Sequence, residues 1–283
     1  MRVLASFAIV AAFISGACSR GVHRSNEVVA IPAAKLPSDP GDTLWRDAPE
    51  FAAKLLQQDL VEPRLMKAST PEVLVRALTS GNEIAFRLEW LDAVQNDLPG
   101  AGRFLDACAV QIPAKIEPDL PDPQMGMAGK GVEISYWRAD WQASVNGRKD
   151  DIHSLFPNAS IDHYPFEARS LDPGSPQQRE FSRRYAPAEA VGNRRVGPRD
   201  IPVEDLIAEG PGTLSPAPKN VSRGKGVFGK TGWSVVITRP YPPGLAPTVR
   251  TQIAFAVWEG SQQESGARKM RSGWAPLAVR GTK

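Results

Sequence analysis

Two methionines, Met125 and Met127, flank a glycine in the stretch "PDPQMGMAGKGVEISYWRADW", Pro121 to Trp141. They stand in a Pro- and Gly-rich approach to a strand-like run, and a water-facing turn gains nothing from a thioether. A thioether can ligate low-spin haem iron, where it raises the reduction potential. It can equally fill an irregular gap in an apolar core. On these residues alone both readings stay open. A second stretch, "GKGVFGKT" from Gly224 to Thr231, satisfies G-x-x-x-x-G-K-[ST], the phosphate-cradling loop of nucleotide hydrolases. That chemistry needs a buried strand before the loop and a helix after it, because the phosphate rests on the helix N-terminus. Here "TLSPAPKNVSR" precedes and the β-branched "WSVVITRP" follows. The context is that of a turn feeding a strand and argues against a nucleotide-dependent enzyme.

The remaining chemistry-bearing residues are sparse. His23, His153 and His163 are widely separated and lack metal-ligand spacing. His163, in "IDHYPF", is read as a hydrogen-bonded loop histidine. There is no G-x-S-x-G elbow and no H-E-x-x-H pair, so no catalytic residue is assigned. The two cysteines, Cys18 and Cys108, make no disulfide framework, and without C-x-x-C-H no covalently attached haem is expected. Cys108, in "ACAVQI", reads as a small buried hydrophobe.

The elements that would position these groups are strands. With 26 prolines and 24 glycines in 283 residues, turns are frequent and long helices scarce. "NEIAFRLEW" sets Ile84, Phe86, Leu88 and Trp90 against Ala85, Arg87 and Glu89, the period of two of a half-buried strand. "GVEISYWRADW", "GWSVVITRP" and "QIAFAVWEG" behave alike, and no strand–helix alternation appears. Short helices are expected at Pro49–Gln58 and Val203–Glu209, while "PEVLVRALTS" fits a helix or a strand. The Pro-, Arg- and Ser-rich stretch 140–202 is read as a long ordered excursion that wraps the sheets or meets a partner. A net charge of +3, from 34 basic and 31 acidic residues, supports neither nucleic-acid nor membrane-surface binding.

The N-terminus carries one early arginine, an apolar run from Val3 to Ile14, and small residues before Cys18. That layout is a secretory signal over 1–18 and implies export, to the periplasm in a bacterium. Ser-Gly-Ala-Cys resembles a lipoprotein cleavage site, with Cys18 as the lipidated residue and Ser15 where leucine is usual. Residues 19–38 read as a tether or an extended first strand, and the folded domain as 39–283.

The ordered segments "VQIP", "QMGMAGKGVEISYWRADW", "VEDLIAEGPGTLSP", "GWSVVITRP" and "IAFAVWEGSQQESGARKMRSGWAPL" resemble the haem-binding γ subunit of the ethylbenzene dehydrogenase family. That family is related to the haem b subunits of dimethylsulfide dehydrogenase and of selenate and chlorate reductases. The resemblance spans roughly Asp39 to Leu277. It implies an antiparallel β-sandwich holding a non-covalent haem b between an axial methionine and an axial lysine. The family methionine, followed by glycine before an aromatic strand, matches Met125, with Gly126 and "YWRA" after it; Met127 is the second choice. The family's G-R-K-S matches "GARKMRS" and so points to Lys269, with Met270 in place of serine and Lys230 as the competitor. Trp137, Trp233 and Trp258 are read as core packing. The implied role is electron transfer between a molybdenum or iron–sulfur oxidoreductase and a cytochrome, including c-type cytochromes. If the methionines merely pack, the chain reads instead as a haem-free β-sandwich module for a small ligand or carbohydrate.

Overall fold

The alternating run at Glu83 becomes a nine-residue strand with its apolar set buried on one face. The computed structural model describes residues 24–57, 59, 62–149, 156–158, 172, 174–185 and 199–281. The leader with Cys18, all three histidines and most of the 140–202 excursion lie outside them. In chain order the strands are β1 (Arg24–Ser25), β2 (Val28–Pro32), β3 (Glu50–Lys54), β4 (Glu72–Ser80), β5 (Glu83–Leu91), β6 (Ala107–Pro113) and β7 (Val132–Arg138). After helices α1 (Ala139–Val145) and α2 (Pro176–Tyr185) come β8 (Val203–Ala208), β9 (Ser215–Pro216), β10 (Arg223–Phe228), β11 (Gly232–Pro240), β12 (Arg250–Trp258), β13 (Met270–Arg271) and β14 (Ala275–Val279). No described helix is long and apolar enough to cross a membrane.

The strands form the two layers of a mostly antiparallel sandwich. One layer runs β10-β11-β5-β4-β2-β14 and the other β6-β7-β8-β9. β12 joins them: Arg250–Ile253 pairs with β14, and Ala254–Trp258 pairs with β6. A strand that changes sheets in this way turns the corner of a sandwich. Between the layers Phe86, Leu88, Val235 and Ile237 meet Val110, Ile112, Trp137 and Phe255. Trp233 packs edge-on to Trp137 at 4.9 Å between ring centroids, and such pairs contribute about 0.5–1.5 kcal/mol beyond their area. Trp137 and Trp233 are thus core packing, as is Cys108, whose thiol burial pushes well above its ordinary pKa.

The phosphate-loop pattern is a β-hairpin. Gly224–Phe228 lies within β10, which pairs with β11 from Arg223↔Thr238 to Phe228↔Trp233. Gly226 is there for space, since a Cβ on it would stand 2.2 Å from Trp137 Cζ2.

Three expectations require correction. Val28–Pro32, assigned to a tether over 19–38, is a largely buried strand flanked in parallel by β14 and β4. Pairing on both edges and burial of Val28, Val29 and Ala30 remove the polar alternation by which a strand is recognised. The extended-strand reading of this stretch is the one the fold adopts, and the folded part begins before Asp39. The helices expected at Pro49–Gln58 and Val203–Glu209 are the strands β3 and β8. Each segment fits a helical period over a single turn, and sheet pairing overrides that weak preference.

Candidate functional site

The outer face of the second layer supplies the floor of a cavity. Register places Ala254, Gln111, Ile134 and Leu206 in one row across β12, β6, β7 and β8. The next row is Ala256, Ala109 and Tyr136, and beyond it lie Trp258, Ala107 and Arg138. Because side chains alternate between faces, these residues share the surface opposite the core. Ala109, Ala254 and Ala256 leave the middle of the floor shallow, and larger side chains stand around it. The space above is about 690 Å³, within the range of about 300–1,000 Å³ for small-molecule and cofactor sites. Its walls come from the loops holding Arg103–Leu105, Pro123–Met125, Pro211–Leu214 and Glu264–Ser272.

Met125 enters from the loop between β6 and β7. Its backbone adopts φ 73°, a left-handed conformation that costs a residue with a Cβ and is uncommon outside glycine and asparagine. Two hydrogen bonds hold it there: Gly210 N donates to Met125 O at 2.8 Å, and Gly126 N donates to Asp122 O at 2.8 Å. Gly126, at φ 84°, cannot carry a side chain, since a Cβ would meet Lys130 O at 2.8 Å. The loop is fastened from below and from the side. Gln111 Nε2 donates to Pro123 O at 3.0 Å, and Trp274 Nε1 donates to Pro121 O at 2.8 Å. A strained methionine fixed on the wall of a cavity is the pattern expected where a side chain is placed for function.

Lys269 enters from the segment after β12. Trp258 Nε1 donates to Gly266 O at 3.0 Å, fixing the turn that precedes the lysine. Met270, fully buried in the core and paired with Val257, anchors the other side. With Met270 turned inward, Lys269 faces the cavity. Its ammonium lies 5.4 Å from the Trp258 ring centroid and 3.5 Å from Gly266 O. Burial first, and then the Arg271 charge, pull its pKa down to about 8. Its neutral, lone-pair-bearing form is therefore more accessible than that of a surface lysine.

The structure thus brings Met125 and Lys269 to one cavity from loops distant in sequence. It leaves the alternatives outside that lining. Met127 is exposed and pairs with Lys130 in its own tight hairpin. Lys230 is exposed in the β10–β11 hairpin. Trp258, expected as core packing, is buried in the apolar cluster of the second sheet; it also lines the cavity and meets Tyr136 edge-on at 5.1 Å. Sequence reading also missed Arg103, Gln111, Arg138, Glu264 and Arg271. Of these only Gln111 carried a signal, as a polar interruption of the otherwise apolar "ACAVQIP". Glu264 is almost fully buried; its carboxylate accepts from the Ser69 hydroxyl and from Glu259 N, and burial raises its pKa. Arg138 is paired with Asp140 and lies 4.3 Å over the Trp141 ring.

The cavity sits in a chain with recognisable relatives. A Haloferax mediterranei protein, named provisionally as the heme subunit of a respiratory nitrate reductase, is 22% identical over 254 residues, covering 87% of this chain and 70% of that one. The chlorate reductase subunit gamma of Ideonella dechloratans is 23% identical over 249 residues, covering 85% and 79%. Among solved structures, a family 9 carbohydrate-binding module from Caldicellulosiruptor kristjanssonii in complex with cellotriose aligns over 90% of this chain and 94% of its own. Its TM-score of 0.41 at 9% identity is too low for any conclusion to rest on it. The ethylbenzene dehydrogenase family model matches residues 42–270, most of the chain and both cavity loops, and the chain belongs to that family.

Proposed function

We propose that this chain is an exported electron-transfer subunit whose cavity would hold one non-covalent haem b, with Met125 and Lys269 as the side chains that would hold its iron. The observation that carries this reading is the convergence of a strained thioether and a pKa-lowered amine on one cavity of cofactor size. The residues fit the group. The alanine floor suits a flat macrocycle, Trp258 and Tyr136 offer aromatic faces, and the rim guanidiniums of Arg103 and Arg271 suit carboxylates. The names of the relatives, heme subunit and reductase subunit gamma, support a haem-carrying subunit of a reductase. The absence of C-x-x-C-H from the sequence supports a cofactor held by ligation and packing alone.

When bound, haem supplies a one-electron ferrous/ferric couple, and a thioether ligand raises its potential. The chain's own part is to prepare the site. Met125 presents sulfur without a proton to lose, and its loop is held by Gly210, Asp122, Gln111 and Trp274. Lys269 must give up the proton on Nζ before it can donate a lone pair, and its surroundings already favour that loss. The chain performs no bond-making reaction in this reading. Its partners are a molybdenum or iron–sulfur oxidoreductase on one side and a cytochrome, c-type included, on the other. Export rests on the leader over 1–18, and Cys18 would carry a lipid that tethers the protein to a membrane.

Haem titration of the full chain, followed in the visible region, tests the reading. One equivalent should bind and give a b-type spectrum on reduction with dithionite. A folded protein that takes up no haem across the titration would overturn it.

A further inference from the structure

Outside the cavity, three acids from three different strand ends converge. Asp92 follows β5, Asp106 precedes β6 and Glu259 follows β12. One carboxylate oxygen from each lies within 4.8 Å of the others. Asp92 and Asp106 are 6% and 0% exposed. No lysine or arginine among the described residues pairs with any of the three.

Hydrogen bonding accounts for only part of this charge. Asp106 Oδ2 accepts from Asn96 N at 2.7 Å and from Trp233 Nε1 at 2.9 Å, and Oδ1 accepts from Gly260 N at 2.9 Å. One lone pair on Oδ1 remains. Asp92 Oδ1 accepts from Val94 N at 3.0 Å, while Oδ2, on a side chain more than nine-tenths buried, makes no hydrogen bond of good geometry, although the Trp90 indole N–H, itself unpaired, and the Asp106 carboxyl stand beside Asp92. Asn96 Oδ1 is a second buried oxygen without one. Its side chain lies against Gly260, immediately after Glu259, where a Cβ on that glycine would be 2.5 Å from Asn96 Cβ. Glu259 Oε1 accepts from Ser261 N at 3.0 Å, and Oε2 is free for another partner. Buried oxygens without full hydrogen bonding are costly, so their gathering around these strand ends calls for a ligand.

We propose that Asp92, Asp106 and Glu259 form a binding site for a hard divalent cation of calcium's size. The donors are all oxygen, which suits calcium and magnesium and not the softer metals. Calcium–oxygen bonds of about 2.3–2.6 Å let two ligands of one ion stand up to about 5 Å apart. The three oxygens lie within 4.8 Å of one another, inside that limit. Magnesium dehydrates reluctantly and is held less readily by an all-protein set of donors. Without a cation, burial and the neighbouring acids raise Asp92 to about 6 and Asp106 to about 7, so the pocket then holds protons. A bound ion would tie the end of β5 in one layer to β6 and β12 in the other. It would do so directly behind the segment that carries Lys269, because Glu259 N donates to Glu264 Oε2 at 3.0 Å. The site does not depend on the haem reading.

The test is thermal unfolding and calorimetry of the full chain after EDTA treatment, with calcium chloride or magnesium chloride added back and haem either present or absent. In wild type, calcium at about a hundredfold excess over its Kd is expected to raise Tm by about 5–10 °C, with one equivalent bound and magnesium weaker. Asp92→Asn and Glu259→Gln, both close in shape to wild type, are expected to bind calcium at least tenfold more weakly and to lose the shift. If Asp92→Asn fails to fold, Glu259→Gln on its half-exposed residue decides. No calcium-dependent change in folded wild type overturns the proposal, as does an undiminished shift in a folded variant. A rise in Tm on Asp92→Asn in calcium-free buffer, with calcium inert on wild type, would mean that the acids simply share a proton.

Discussion

At the scale of single residues, the proposed ligands Met125 and Lys269 show two ways of preparing an ordinary side chain to hold iron. The methionine is held in a backbone conformation that glycine would adopt at lower cost, so the strain is offset by the hydrogen bonds to Asp122 and Gly210. The lysine is made easier to deprotonate by burial and by Arg271. Its folded pKa, about 8, lies below the ordinary lysine value, so the unfolded chain binds more protons between the two. Haem needs the neutral amine, of which about one-tenth is present at pH 7 in the haem-free protein. Apparent haem affinity is therefore expected to rise about tenfold per pH unit below pH 8 and to level off above it. Equilibrium titrations at pH 6, 7, 8 and 9 read this, and a flat profile would separate Lys269 from ligation. That Met125 and Lys269 line the cavity was legible only through the family segments, methionine before glycine and "GARKMRS". The residues alone left packing and ligation open for Met125 and Met127, and nothing in them marks one lysine among many.

At the scale of elements, the site is built by register. β12 leaves one sheet at Ile253 and joins the other at Ala254, which brings Ala254, Ala256 and Trp258 level with Gln111, Ala109 and Ala107. The shallow floor follows from the alanines, and alanine on a strand face carries no sequence signal of function. The prediction proper to this scale is Ala256→Leu. A leucine there fills open cavity space instead of crowding the core, so Tm is expected to stay within about 2 °C of wild type. Haem loading is expected to fall at least tenfold. Retained loading with an unchanged spectrum would show that the cofactor does not lie over this floor. β5 and β7 were readable from alternation, although the apolar set of β7, with Ile134 and Tyr136, faces the cavity and not the core. β2 was not, because it is flanked on both edges and buried at Val28, Val29 and Ala30. β3 and β8 were obscured because five or six residues cannot distinguish a helical period from a buried strand.

At the scale of the whole molecule, one face of a β-sandwich serves as scaffold for the two loops that carry Met125 and Lys269, and the opposite face of the same sheet is core. The β-rich class was readable from composition and period, while the expectation of haem came from the family resemblance alone. The nucleotide-binding pattern dissolved into a hairpin because its glycines answer to Trp137 and Val236 and not to a phosphate. The central claim is that one thioether and one amine close a single haem site. The measurement that tests it most directly is low-temperature electron paramagnetic resonance of the ferric, haem-loaded protein. Wild type, Met127→Ala and Lys230→Ala are expected to give the same low-spin signal, while Met125→Ala and Lys269→Ala convert the iron to high spin or lose it. A low-spin signal that survives both Met125→Ala and Lys269→Ala, or that disappears in Lys230→Ala, would contradict the account.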